Sequence, residues 1–533
     1  MKVKSTLILL TIAIFWQVGL AQKPSTTIVN FNKRGEQVMK FTSMGEAIDA
    51  HDGEIAYFKG VYYLYGTSYG CGFSWGIKDA PFCGFKTYSS TDMVNWTDRG
   101  AMFDASTPVW QSRCNGNTYG CFRPHVIFNQ KTGLYVLWIN VYDNRVGFRV
   151  FTSKSPTGPF KEVLEPKLAV NSDSPVAGLN NGDHDTFVDD DGIGYIAYTD
   201  WRTTGTIVIE QLSDNYLSGT GKHVKSVTAG NTEAPSLFKR KDTYYVTYSD
   251  PNCGYCSGTG TSYKTAKHPL GPWSEGIKIS DNSCGGQPSF VSTIKLGSGN
   301  IYLYGSDLWN NAAKNESLAN FYWAPLSFAE DGSINPMVCQ EQVEVPLDKK
   351  SSTPVMISKS SLNKNSSLNN TTGTTGFTQF GDIGRNIKRA QTFLAKATGL
   401  LTGLSIATFK NGFPDQPLTL EIFEADEAQQ PIGSKLTTIT LPPDSLKWSV
   451  NMVNINPSIE VRAGTQYAFV LSSLTSKGFF GFAYNDNAIY KEGGASYSSD
   501  GGNSFKMEKD RSLMFHTTIQ KANPNDKKEK RHT

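Results

Sequence analysis

Asp52, Arg123, Asp183, Glu233 and Gln287 stand 11, 12, 12, 12 and 15 residues ahead of five recurring aromatic positions, Tyr63, Tyr135, Tyr195, Tyr245 and Tyr302. Three carboxylates, a guanidinium and a carboxamide at one repeated position form a chemically useful set. One carboxylate can activate water, a second with a raised pKa can protonate a departing oxygen, and a third can tune the second. Those three roles have a natural use in hydrolysis of a glycosidic bond. Taken singly, each would pass for an ordinary turn residue, as the run Asp189-Asp190-Asp191-Gly192 does. Glu233 is the least easily dismissed, because it abuts Ala234-Pro235 at the start of the apolar stretch SLF, where burying a carboxylate costs free energy.

The elements that must position these groups are short strands. GVYYLYGTS, TGLYVLWIN, IGYIAYTD, DTYYVTYSD and GNIYLYGSD recur at spacings of 72, 60, 50 and 57 residues, the scale of a propeller blade. Each follows a turn and another apolar strand with polar residues at its start: HDGEIAYF, RPHVIFN, DHDTFVDDDG, EAPSLFKR and GQPSFVST. In a propeller the first strand of each blade lines the central channel, so equivalent positions converge although distant in sequence. The predicted fold is all-β: a five-bladed propeller over residues 22–346, then a Ser/Thr/Asn-rich linker over 347–376. Alternating apolar stretches such as LTLEIFEA and TQYAFVLSS predict a jelly-roll-like β-sandwich over 377–520, and NPNDKKEKRHT belongs to a disordered basic tail, 521–533.

Composition limits the partners. A net charge of +3 on 533 residues offers no field for nucleic acid, whereas 24 Tyr, 10 Trp and 50 Gly suit a β protein that handles sugars. Residues 1–21 read as a secretory signal peptide, no later segment reads as a membrane span, and a periplasmic or extracellular monomer is expected. The eight cysteines then favour disulfides. Cys253-Gly-Tyr-Cys256 has zinc-ligand spacing, but no second pair completes a tetrahedral set. Around the carboxylates, His51, Trp75, Arg123, His125, Trp201, Gln287, Asp307 and Trp309 are expected to bind substrate, the tryptophans by stacking on sugar faces.

His51-Asp52-Gly53, DHDTFVDDDG, and Glu233-Ala234-Pro235 followed by Gly271-Pro272-Trp273 resemble glycoside hydrolase family 43 over roughly residues 45–345. The resemblance implies an inverting five-bladed propeller with Asp52 as general base, Asp183 (in preference to Asp185) as modulator of the acid, and Glu233 as general acid. It implies no required cofactor, with a structural calcium in the channel in some members. SPTGPF, GGQPSF and YGSDLWN are similar to the exo-β-1,3-galactanase branch, in which the base aspartate is missing and a glutamine assists instead. This sequence departs from that branch by carrying Asp52 and by having Phe122 before Arg123-Pro124. The implied activity is exo-hydrolysis of β-galactosyl or α-L-arabinofuranosyl ends of plant-type polysaccharides. A galactofuranosidase and a non-catalytic carbohydrate-binding propeller are the alternatives.

Overall fold

A computed structural model describes residues 24–521 except 76–79, 115–119, 143–146, 171–180, 253–257, 310–314, 349–365, 371–376 and 487–488. The expected signal peptide, Cys253, Cys256, most of the expected linker and the tail after Lys521 lie outside the described residues.

Four four-stranded antiparallel sheets and one three-stranded sheet follow one another along the chain. Their first strands are His51–Phe58, Gly120–Asn129, Asn181–Val188, Glu233–Arg240 and Gln287–Leu296. Each packs against the next and the fifth returns to the first, closing a ring around a channel. A short hairpin then reverses every chain. In the first blade it is Lys59-Gly60, with φ of 51° and 86°, the primed turn whose twist matches antiparallel strands. Second strands therefore return to the end where first strands began, and the loops between second and third strands open there. That end is the mouth.

Asp189–Gly192 is the expected turn, with Gly192 N–H donating to Asp189 O at 3.0 Å. Its Asp189 is nevertheless buried, accepting from the Tyr244 hydroxyl at 2.5 Å and paired with Lys239 at 2.9 Å. The ring is clasped by Ser25–Val29, which pairs antiparallel with Gln342–Pro346. Ile28, Val343 and Val345 join Trp96 and Trp323 in the core between the first and fifth blades. Six of the eight cysteines form the disulfides Cys71–Cys83, Cys114–Cys121 and Cys284–Cys339, in line with the expected pairing.

The remaining strands form two antiparallel sheets around Phe393, Leu401, Phe469, Phe482 and Phe515. Within the stretch expected to be a linker, Ser366–Asn370 instead pairs with Phe515–Lys521. SSLNN contains one apolar residue, so no alternation marks this edge strand, which is defined by its backbone pairing. The sandwich packs on the propeller: Phe377, Phe409, Val450 and Met514 cover Met39, Phe41, Ala47 and Leu318.

Candidate active site

All five first strands are bulged where they begin. Their pairing with the second strand slips between His51 and Glu54, Phe122 and His125, Asn181 and His184, Glu233 and Ser236, and Pro288 and Phe290. A bulge bends the strand and re-aims its side chains, and it recurs next to active sites. Within three of these bulges Asp52, Arg123 and Ala234 adopt φ of 54°, 56° and 52°. Left-handed backbone at non-glycine residues costs free energy and persists only where the surroundings impose it. Gly53 is needed beside Asp52, since a Cβ there would lie 2.1 Å from the Tyr65 carbonyl oxygen.

These bulges gather the five repeated residues. Arg123 is the hub: its Nη2 donates to Asp183 Oδ2 at 2.6 Å, its Nη1 to the carbonyls of Pro288 and Ser289 at 3.2 Å, and its backbone N–H to Asp52 Oδ1 at 3.0 Å. Asp52 also accepts from Thr67 Oγ1 at 2.7 Å and, on Oδ2, from the Tyr69 hydroxyl at 2.9 Å. Oδ2 thus keeps acceptor capacity for a water. Burial pushes Asp52 up to about 7, with Asp307 adding to the shift and Arg123 opposing it. Burial, reinforced by the negative charge of Asp183, holds Glu233 well above the usual carboxylate range, against the pull of Arg123 and of a hydrogen bond with Tyr142. Both carboxyls are thus raised by burial, and the negative charge of Asp183 adds to the shift at Glu233.

Gln287 is clamped at both ends. Its Oε1 accepts from the Trp309 indole N–H at 3.1 Å, and its Nε2 donates to Glu233 Oε2 at 3.1 Å. Because an indole nitrogen can only donate, Trp309 fixes the amide so that its NH2 faces Glu233.

The other expected binding residues divide. Asp307 braces the strand carrying Asp52, accepting from Asp52 N–H at 3.0 Å and from the Ser289 hydroxyl. His51 is fully buried behind it, stacked on Phe321 with ring centroids 5.0 Å apart. Burial disfavours its charged form, but Asp307, Asp49 and Asp52 outweigh that and raise its pKa. His125 is equally buried, 3.1 Å from Asp185 Oδ1 and 3.8 Å from Glu54 Oε2. Glu54 Oε1 takes the Val126 N–H at 2.6 Å, and Asp185 Oδ2 takes the Leu237 N–H at 2.6 Å. These three stitch neighbouring first strands together beneath the site, which gives Asp185 a structural task and leaves Asp183 facing Arg123. Trp309 is buried, Trp75 is 44% exposed, and Trp201 is half-buried with its indole close to Gly182 and Gly205.

Thr67, Tyr69 and Tyr142 carry no mark in the sequence repeat. All three lie at or just past the ends of second strands, and antiparallel register pairs those ends with the first-strand starts: His51 with Thr67, Gly120 with Tyr142. The signal that could have found them is the hairpin itself, since folding each first strand back on its second brings these positions beside the carboxylates.

Among the described residues no three His, Cys, Asp or Glu side chains converge as metal ligands. Glu54 Oε1 and Asp185 Oδ2 are engaged by backbone N–H groups, while Glu54 Oε2 and Asp185 Oδ1 face His125.

A five-bladed propeller with buried carboxylates at its mouth is the class of fold that the strands and the site define. Residues 46–288 match the sequence model of glycosyl hydrolases family 43. A β-D-galactofuranosidase of Aspergillus niger is 26% identical over 231 residues, 42% of this chain and 62% of that protein. An arabinoxylan arabinofuranohydrolase of Bacillus subtilis is 27% identical over 236 residues, 37% of this chain and 43% of that protein. The chain thus spans less than two thirds of the length of either relative. Among solved structures, an exo-β-1,3-galactanase from Clostridium thermocellum aligns at 25% identity with a TM-score of 0.49, covering 61% of this chain and 67% of that one.

Proposed function

We propose that the protein is a secreted, inverting, exo-acting glycoside hydrolase that removes terminal β-galactosyl or α-L-arabinofuranosyl residues from plant-type polysaccharides. Asp52, as carboxylate, takes a proton from a water held at Oδ2, and that water attacks the anomeric carbon. The bond to the leaving oxygen breaks as Glu233 delivers its proton there, so one sugar and one shortened chain leave. Asp183 keeps Glu233 protonated and Arg123 holds Asp183 and Asp52 in place. The observation that carries this reading is the placement of Asp52, Asp183 and Glu233 around Arg123, with Glu233 pushed far up. Galactofuranosyl ends are the second substrate reading, favoured by the Aspergillus niger relative's name.

The clamp on Gln287 supports Asp52 rather than the glutamine as base, because both ends of the amide are already committed. The test is proton NMR of the anomer first released from 4-nitrophenyl β-D-galactopyranoside and α-L-arabinofuranoside. Inverted product is expected; retained configuration overturns Asp52 as base.

A further inference from the structure

The sandwich meets the propeller at the mouth. Trp448 N–H donates to the Gly70 carbonyl at 3.1 Å, Asn315 Nδ2 donates to the Trp448 carbonyl at 3.2 Å, and a Cβ on Gly72 would lie 2.8 Å from the Trp448 indole nitrogen. The loop being gripped is the one whose Tyr69 donates to Asp52 and whose Ser74 donates to Glu316 Oε1 at 2.9 Å. It also carries Trp75, one of the large exposed hydrophobic side chains. On the sandwich side Phe413 packs edge-on against Trp448, ring centroids 5.4 Å apart, while remaining 81% exposed. An aromatic ring held this open by a neighbouring ring, on a loop beside a sugar pocket, is not core packing.

We propose that Trp75 of the propeller and the Phe413–Trp448 pair of the sandwich form one aromatic platform at the rim. It would receive the pyranose units of the polysaccharide beyond the terminal sugar cleaved. Rings stack on the apolar faces of pyranoses and lose little conformational entropy in doing so. The platform is built across the domain junction, so the sandwich shapes chain-length preference. The nature of the ligand rests on the hydrolase reading above.

The test uses the full chain and two substitutions at exposed positions, Phe413→Ala and Trp75→Ala, which leave the folded core intact. Retardation in native gels containing arabinoxylan or β-1,3-galactan reports binding, and turnover of these polymers is compared with that of the 4-nitrophenyl glycosides. Each substitution should weaken retardation and lower kcat/KM on the retarding polymer by about five- to tenfold, as loss of one stacking contact implies. Aryl glycoside turnover of the Phe413→Ala protein should stay within about twofold. Unchanged retardation and polymer turnover in both variants, or equal losses on polymer and aryl glycoside in Phe413→Ala, overturn the platform. Hydrolysis of aryl glycosides without retardation of the wild-type protein by either polymer overturns the platform alone. Retardation that Phe413→Ala abolishes, in a protein inert on every glycoside, supports the platform and sinks the hydrolase reading.

Discussion

At the mouth of the channel Asp52, Asp183 and Glu233 lean on the guanidinium of Arg123, whereas at the far end acidic groups meet lysines, Asp189 with Lys239 at 2.9 Å and Asp190 with Lys295 at 3.1 Å. The far end encloses about 970 Å³, lined by Ile55, Phe58, Phe128, Phe187 and Tyr302. Both ends are made by the same five strands. What separates them is the bulge, present only where the strands begin, and the uncompensated charge it points inward. Volume follows from the ring's geometry, whereas buried charge short of partners is expensive and has no purely structural benefit. The costlier end is therefore the one to associate with chemistry.

The largest expected effect is on turnover. Asp52→Asn should lower kcat on polymer and on 4-nitrophenyl glycosides alike by about 10²- to 10⁴-fold. Glu233→Gln should do the same on polymer while sparing substrates whose leaving group needs no proton, and Asp190→Asn at the far end should change neither. Steady-state kinetics on both substrate types decide this; an Asp190→Asn enzyme as impaired as Asp52→Asn would erase the contrast.

Stability comes next. Removing the cation at the mouth with Arg123→Met leaves Asp183 buried and unpaired and should cost about 3–5 kcal/mol. Lys295→Met at the far end, whose partner Asp190 is exposed, should cost at most about 1 kcal/mol. Urea denaturation of the two variants measures the gap, and similar midpoints would contradict it.

Beneath the mouth, burial raises Glu54 from 4.5 to about 7, while His125 pulls it down. A carboxyl raised on folding contributes stability that is fully present below about pH 4.5 and is lost as pH rises through about 7. Glu54→Gln, which keeps the acceptor for Val126 N–H, should therefore gain on the wild type by about 3 kcal/mol across that window. Denaturant midpoints at pH 4.5, 6 and 7.5 report it, and parallel pH curves would refute it.

The smallest effect sharpens the roles of the carboxyls. If Asp52 is the base, it works ionised and the acidic limb of the pH–rate profile should fall near pH 7. If Glu233 is the acid, it works protonated and should set the basic limb. Asp183→Asn removes a negative charge that raises Glu233, so the basic limb should move down by about one pH unit while the acidic limb stays. A basic limb that does not move would detach Asp183 from the acid.

The blades were legible because aromatic alternation repeated at blade-length spacing is specific to stacked four-stranded sheets, and the tyrosine offsets placed Asp52, Arg123, Asp183, Glu233 and Gln287 together. The offsets could not reveal the bulges. A bulge inserts one residue without changing residue type, and Asp52, Arg123 and Ala234 are not glycines that would advertise a positive φ. His51 and His125 read as substrate ligands because sequence shows neighbours along the chain, whereas their depth depends on the blades on either side. Ser366–Asn370 was hidden for the opposite reason, since an edge strand can be specified by backbone pairing alone. The docking of Trp448 against Gly70 and Gly72 depends on a meeting of distant loops that carry no shared pattern.

The clasp between Ser25–Val29 and Gln342–Pro346 has a consequence in time. Its two halves are separated by the whole propeller, so joining them early would close a very long loop, at an entropic cost that grows with the logarithm of loop length. Blades built from adjacent hairpins pay far less and should form first, leaving the ring open between the first and fifth until the last of them is in place. A chain emerging N-terminus first must hold its earliest strand unpaired until the residues past Gln342 arrive. Pulse-labelling hydrogen exchange should accordingly find the amides of Ser25–Val29 protected last, after those of the four-stranded blades.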